Sequence, residues 1–136
     1  MMNKIEHIGI AVRDITEAGG IYQRLLNTDV YKTELVNNEY VNTAFLQVGP
    51  NKIELLQATS ADSVIAKFIE KKGEGLHHIA FEVDDIVSEM ERLKADGFTL
   101  LSDAPKAGAD NKLVCFVHPK DAKGVLIELC QEIPGV

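Results

Sequence analysis

The chain has 136 residues, 46% of them hydrophobic, and its twenty-one acidic side chains outnumber fourteen basic ones to give a net charge of −7. A chain of this length is the size of one ordinary domain and buries roughly 68–70% of its unfolded surface on folding, so no disulfide is needed to stabilise it. No lysine or arginine block interleaves with aromatic residues, and no apolar stretch approaches about 18 residues, so neither a nucleic acid nor a membrane is expected as a partner and a cytoplasmic location is.

Residues 5–12 alternate with period two, placing Ile8, Ile10 and Val12 on one face and His7, Gly9 and Ala11 on the other, as in a strand. Asp14 and Glu17 have capping-box spacing, and Ile15, Ala18, Tyr22, Leu25 and Leu26 recur at helical intervals, which predicts a helix over 15–26. Gly19 and Gly20 inside it cost about 1 kcal/mol each relative to alanine, so a poor helix is expected there. A short strand near Val30–Leu35 follows, then a hairpin from Tyr40 to Leu56 that turns at Gly49-Pro50-Asn51. Residues 60–75 read as a connector with a short helix through Val64, Ile65, Phe68 and Ile69, ended by Gly73.

The order then replays. A strand spans His78–Val83, Asp85 caps a helix through Ile86, Met90 and Leu93 that Gly97 ends, and a hairpin comprises Leu113–Val117 and Val125–Cys130. Lys106 to Lys112 has no regular period and reads as a polar loop. Cys115 and Cys130, outside any Cys-x-x-Cys spacing, read as small core residues. The expected class is α+β, a single domain over 1–136 built from two pseudo-twofold-related β-α-β-β-β modules at about 3–59 and 76–133, with residues 60–75 between them.

The replay extends to chemistry. His7-Ile8-Gly9-Ile10-Ala11-Val12-Arg13-Asp14-Ile15 recurs seventy-one residues later as His78-Ile79-Ala80-Phe81-Glu82-Val83-Asp84-Asp85-Ile86. Lys52-Ile53-Glu54-Leu55-Leu56 returns after seventy-four as Leu126-Ile127-Glu128-Leu129-Cys130, so each half offers one histidine near its start and one glutamate near its end. Any one of these residues alone is adequately explained by a sheet with one solvated face. Together, a pseudo-twofold arrangement would bring His7, Glu54, His78 and Glu128 onto the concave side of a curved mixed sheet and form a divalent-metal site. Imidazole and carboxylate suit Zn, Ni, Co or Mn more than calcium, and four protein ligands on an octahedral ion leave two positions for water or a chelating substrate. His77 reads as a packing residue, His118 as part of a turn, and Glu6, Glu82 and the Lys67–Lys72 stretch as solvated charges.

On Glu6-His7-Ile8-Gly9-Ile10-Ala11-Val12, Ile53-Glu54-Leu55-Leu56, Ile65-Ala66-Lys67-Phe68-Ile69, Gly73-Glu74-Gly75-Leu76-His77-His78-Ile79-Ala80-Phe81 and His118-Pro119-Lys120 leading to Gly124-Val125-Leu126-Ile127-Glu128-Leu129, the chain resembles the vicinal oxygen chelate superfamily. Within it the chain looks most like the methylmalonyl-CoA epimerases. The resemblance implies a homodimer, a metal held by His7, Glu54, His78 and Glu128, and inversion of the carbon between the carboxylate and thioester of an acyl-CoA through a metal-stabilised enediolate. No redox cofactor is implied. Inversion needs a base on each face of the planar intermediate, and Glu54 and Glu128 are the candidates.

In some relatives a glutamine stands in place of Glu54 and a glutamate on the preceding strand is the proposed second base. Thr43 occupies that preceding position here, which leaves Glu54 or a bound water for the role. Glyoxalase I, which isomerises the glutathione hemithioacetal of methylglyoxal, would use the same ligands; an iron dioxygenase would use two histidines and one carboxylate. A drug-binding module of the same fold needs no ligands at all. Lys106, Lys112, Lys120 and Lys123 are candidate contacts for CoA phosphates.

Overall fold

The computed structural model describes residues 2–133, which form two compact units. One comprises His7–His77, and the other the described residues on either side of that range.

The His7–His77 unit carries the end of β1 (Met2–Ala11), then α1 (Ile15–Leu26), β2 (Val30–Val36), β3 (Val41–Val48), β4 (Asn51–Ala58) and α2 (Val64–Lys72). Its strands lie in the order β2-β3-β4-β1, with β1 parallel to β4 and the other neighbours antiparallel. One face of this sheet packs Ile10, Val12, Ala44, Leu46 and Leu55 against Ile15, Ala18, Tyr22 and Leu26 of α1. On its other face Ala11, Val41 and Leu56 meet Ile65, Phe68 and Ile69 of α2, so the stretch read as a connector is a packed helix of this unit.

The expected weakness of α1 is not found: the helix runs unbroken through Gly19 and Gly20. Its apolar face is held by the sheet, and tertiary packing outweighs the glycine penalty. Gly19 is buried, and a Cβ there would stand 3.5 Å from Val30 Cγ2, an ordinary contact. The Asp14 carboxylate accepts the amide N–H groups of Thr16 and Glu17, while the Ile15 N–H donates to Gln57 Oε1 at 2.7 Å. Gly73 ends α2 at φ +80°, in the region that glycine enters without strain.

The second unit contains β5 (Gly75–Val83, from His78 onward), α3 (Ile86–Ala95), β6 (Lys106–Ala107), β7 (Lys112–Val117) and β8 (Ile127–Glu132). Its strand order is β5-β8-β7-β6, with β5 parallel to β8. Val83, Cys115, Val117 and Leu129 pack against Ile86, Met90 and Leu93 of α3, and Ala80, Val114, Cys130 and Phe116 form a smaller cluster. Asp85 caps α3 by accepting the Ser88 N–H, and the Ile86 N–H donates to Gln131 Oε1 at 2.7 Å, repeating the Ile15–Gln57 bond. Both cysteines are free and buried, as expected, and the α+β class and both β-α-β-β-β orders match the sequence reading.

Glu6 and the stretch from Lys106 also differ from expectation. Glu6 is only 2% exposed rather than solvated: β1 begins at Met2, so Glu6 lies in the middle of a ten-residue strand. The stretch from Lys106 is not wholly irregular either: Lys106 and Ala107 pair with Val114 and Leu113 as an edge strand, and the chain then turns through Asp110 and Asn111, both at positive φ. The lysines of α2 are exposed as expected. Among the described residues no helix is long and apolar enough to cross a membrane.

His118 lies, as expected, at a turn, capping the 3₁₀ segment Pro119–Ala122 by accepting the Lys120 N–H on Nδ1. Its own N–H donates to the Thr99 carbonyl at 2.8 Å, and Asp121 Oδ2 accepts the Thr99 N–H at 2.6 Å. That bond from the Thr99 backbone holds the Asp121 carboxyl below its ordinary value. A depressed folded-state value stabilises the fold above the ordinary carboxylate range and loses that contribution as pH falls through the depressed value. Urea unfolding of Asp121→Asn at pH 7 and pH 3 is expected to show a smaller acid-induced fall in midpoint than the unsubstituted chain; an equal fall would contradict the assignment.

Candidate metal centre

In the His7–His77 unit the parallel register of β1 on β4 sets Gly9 opposite Glu54 and His7 opposite Lys52. Paired residues and those two apart share a face, so His7 and Glu54 point to the same side, and Gly9 places no side chain between them. His7 Nδ1 lies 3.0 Å from Glu54 Oε2, with the two side chains 5% and 6% exposed. On the other flank, Phe45 of β3 is the cross-strand partner of Glu54.

The second unit builds the same arrangement from the repeated sequence. Ala80 replaces Gly9 as the small residue opposite the glutamate, since β5 pairs with β8 through Ala80 and Glu128. His78 Nε2 lies 3.2 Å from Glu128 Oε1, and these side chains are 5% and 8% exposed. Phe116 of β7 is the cross-strand partner of Glu128, and its ring meets the His78 imidazole edge-on with centroids 5.9 Å apart. Each unit therefore holds one imidazole nitrogen against one carboxylate oxygen on the sheet face opposite its first helix.

A carboxylate removed from water in mid-strand is costly unless an opposite charge or a metal compensates it. The donors fit a divalent ion. Adjacent ligands held at about 2.1 Å from an ion stand roughly 3.0 Å apart when they subtend a right angle, and both His–Glu separations lie close to that. Imidazole nitrogen and carboxylate oxygen, the donors each unit offers, suit Zn, Ni, Co or Mn.

The other residues singled out from the sequence fall into distinct places. Thr43 is 1% exposed on β3 and, two residues from Phe45, shares the face of Glu54. Its hydroxyl is no carboxylate base. His77 packs edge-on against Phe68 at 5.0 Å, the packing role expected of it. Lys106, Lys120 and Lys123 are exposed, whereas Lys112 is buried and lies 3.5 Å from Glu132 Oε1.

Sequence reading missed the glutamines. Gln57 and Gln131 stand three residues after Glu54 and Glu128 and tie the start of each unit's first helix to the strand that bears the glutamate. Extending the repeated segments 52–56 and 126–130 by one residue would have found them. Phe45 and Phe116 were also missed as partners of the glutamates, because cross-strand register is not written in either strand alone.

Residues 6–116 match the Glyoxalase/Bleomycin resistance protein/Dioxygenase superfamily. The chain is 40% identical over 133 residues to the ethylmalonyl-CoA/methylmalonyl-CoA epimerase of Cereibacter sphaeroides, covering 96% of this chain and 99% of that protein. It is 39% identical over 131 residues to the mitochondrial methylmalonyl-CoA epimerase of Homo sapiens, covering 96% of this chain and 74% of that one. A solved structure of methylmalonyl-CoA epimerase in complex with methylmalonyl-CoA and NH4+ superposes with a TM-score of 0.94 at 33% identity, over 98% of this chain and 97% of that one. With this breadth of match added to the repeated modules and their His–Glu pairs, the chain belongs to the Glyoxalase/Bleomycin resistance protein/Dioxygenase superfamily.

Proposed function

We propose that this chain is an isomerase that interconverts the (R) and (S) forms of methylmalonyl-CoA, and that His7, Glu54, His78 and Glu128 together hold one divalent ion in a single vicinal oxygen chelate domain. The buried His–Glu pair that recurs in each unit, with separations of 3.0 and 3.2 Å, supports this reading. The substrate is supported by the epimerases that match 96% of the chain.

The imidazoles of His7 and His78 supply nitrogen donors, and their carboxylate partners supply oxygen. An ion bound there supplies Lewis acidity to a substrate that offers a carboxylate and a thioester oxygen. Glu128 accepts the proton of the carbon between those groups and Glu54 returns one to the opposite face, or the reverse for the other enantiomer. Burial keeps water from competing for the carboxylates. Thr43 cannot replace Glu54 in this task, so Glu54 serves as both ligand and base. A cytoplasmic setting and, from the family resemblance, a homodimer belong to this reading.

Proton NMR of methylmalonyl-CoA in deuterated water, with Co, Mn, Ni and Zn supplied in turn, is expected to show metal-dependent loss of the signal at the epimerised carbon. Formation of lactoylglutathione from the hemithioacetal, without that exchange, would assign the chain to glyoxalase I instead. Glu128→Ala is expected to slow exchange by about 100-fold or more and to weaken ion binding at the same time; unimpaired turnover in this variant would refute the site.

A second pair of variants separates ligand from base. Glu54→Gln keeps an oxygen donor but no base, so ion binding should persist while exchange falls. Adding Thr43→Glu to that variant is expected to restore part of the rate, and a Glu54→Gln protein with full activity would remove Glu54 from the proton transfer.

A further inference from the structure

Each glutamate of the candidate site has a phenylalanine as its cross-strand partner, Phe45 opposite Glu54 and Phe116 opposite Glu128. The two rings stand seventy-one residues apart, the offset that separates His7 from His78. Directly opposed residues on antiparallel strands point to the same face with Cβ atoms about 5 Å apart, so each ring lies beside its carboxylate.

The two surroundings differ. Phe45 is fully buried, with Lys32 Nζ 4.9 Å from its ring centroid and the Tyr31 ring 6.1 Å away. Phe116 is only partly buried: Ala80, Val114 and Cys130 pack against it and His78 meets its ring, yet part of its surface stays open. Of two repeat-related rings, one is closed and one is available.

We propose that Phe116 determines specificity for the alkyl group on the carbon that Glu128 deprotonates. This rests on the epimerase reading. That carbon bears, besides its proton, a carboxylate, a thioester and one alkyl group. The first two present oxygens to polar donors, and the alkyl group is the apolar substituent that must be housed close to the base. A fixed aromatic surface on the strand beside Glu128 meets that need, and the space it leaves separates methyl from larger groups. Phe45 has no open surface with which to do the same beside Glu54.

The test compares kcat/KM for methylmalonyl-CoA and ethylmalonyl-CoA in the unsubstituted chain, Phe116→Leu, Phe116→Ala and Phe45→Leu. The ratio of the two values on one preparation does not depend on how much of it is folded. A methylene in an apolar pocket is worth roughly 10–200-fold in discrimination, so the ethyl-to-methyl ratio is expected to rise about 10-fold or more in Phe116→Ala, less in Phe116→Leu, and not at all in Phe45→Leu. An unmoved ratio in both Phe116 variants would overturn the proposal, as would an equal change in Phe45→Leu. An unsubstituted chain inactive on both thioesters would overturn the epimerase reading together with this one, whereas an active chain with an unmoved ratio overturns this one alone.

Discussion

A carboxylate held against an imidazole in a nearly dry strand centre is the constraint around which each half of this protein is organised. Neither group is stable there alone: an unpaired buried carboxylate costs several kcal/mol, and breaking such a pair leaves that cost uncompensated. The sequence around each pair is arranged accordingly. Small residues, Gly9 and Ala80, stand between histidine and glutamate, and the strands that carry the pair are packed by aliphatic side chains on their opposite face. A polar pair this protected contributes little to stability beyond what apolar residues of equal volume would give, which is a physical reason to look to chemistry for its purpose.

The helices serve the same arrangement. In each unit the first N–H of the helix that packs behind the sheet donates to a glutamine three residues beyond the site glutamate. The aspartate caps at Asp14 and Asp85 satisfy further N–H groups of the same first turns. Helix position and glutamate position are thereby fixed to one strand. A side chain that must bind an ion and also move a proton tolerates little displacement, and rigid strands tied to capped helices provide a firm base for it.

Much of this was legible from the sequence because period-two alternation and an internal repeat carry positional information. His7, Glu54, His78 and Glu128 all lie on the strand faces that alternation assigned to them, and the bounds of the helix beginning at Ile15 were readable from its cap and apolar spacing. What could not be read depends on neighbours remote in sequence. The glycine penalty in α1 is local, but the packing that offsets it comes from strands up to several tens of residues away. Glu6 was misread because the length of its strand is set by pairing partners, not by its own alternation. The edge strand β6 is two residues long and leaves no periodic trace. Phe45 and Phe116, identical in type and repeat position, differ in burial, and Lys32 and Tyr31 lie against the first of them.

We propose that the two repeated His–Glu pairs hold one ion and not two. Titration of the metal-free chain with Co(II), followed by visible absorption and by the bound metal-to-chain ratio, addresses it directly. One ion per chain is expected, with His7→Ala and His78→Ala each abolishing the same absorption band. Two ions per chain, or a band lost in one histidine variant and intact in the other, would contradict it.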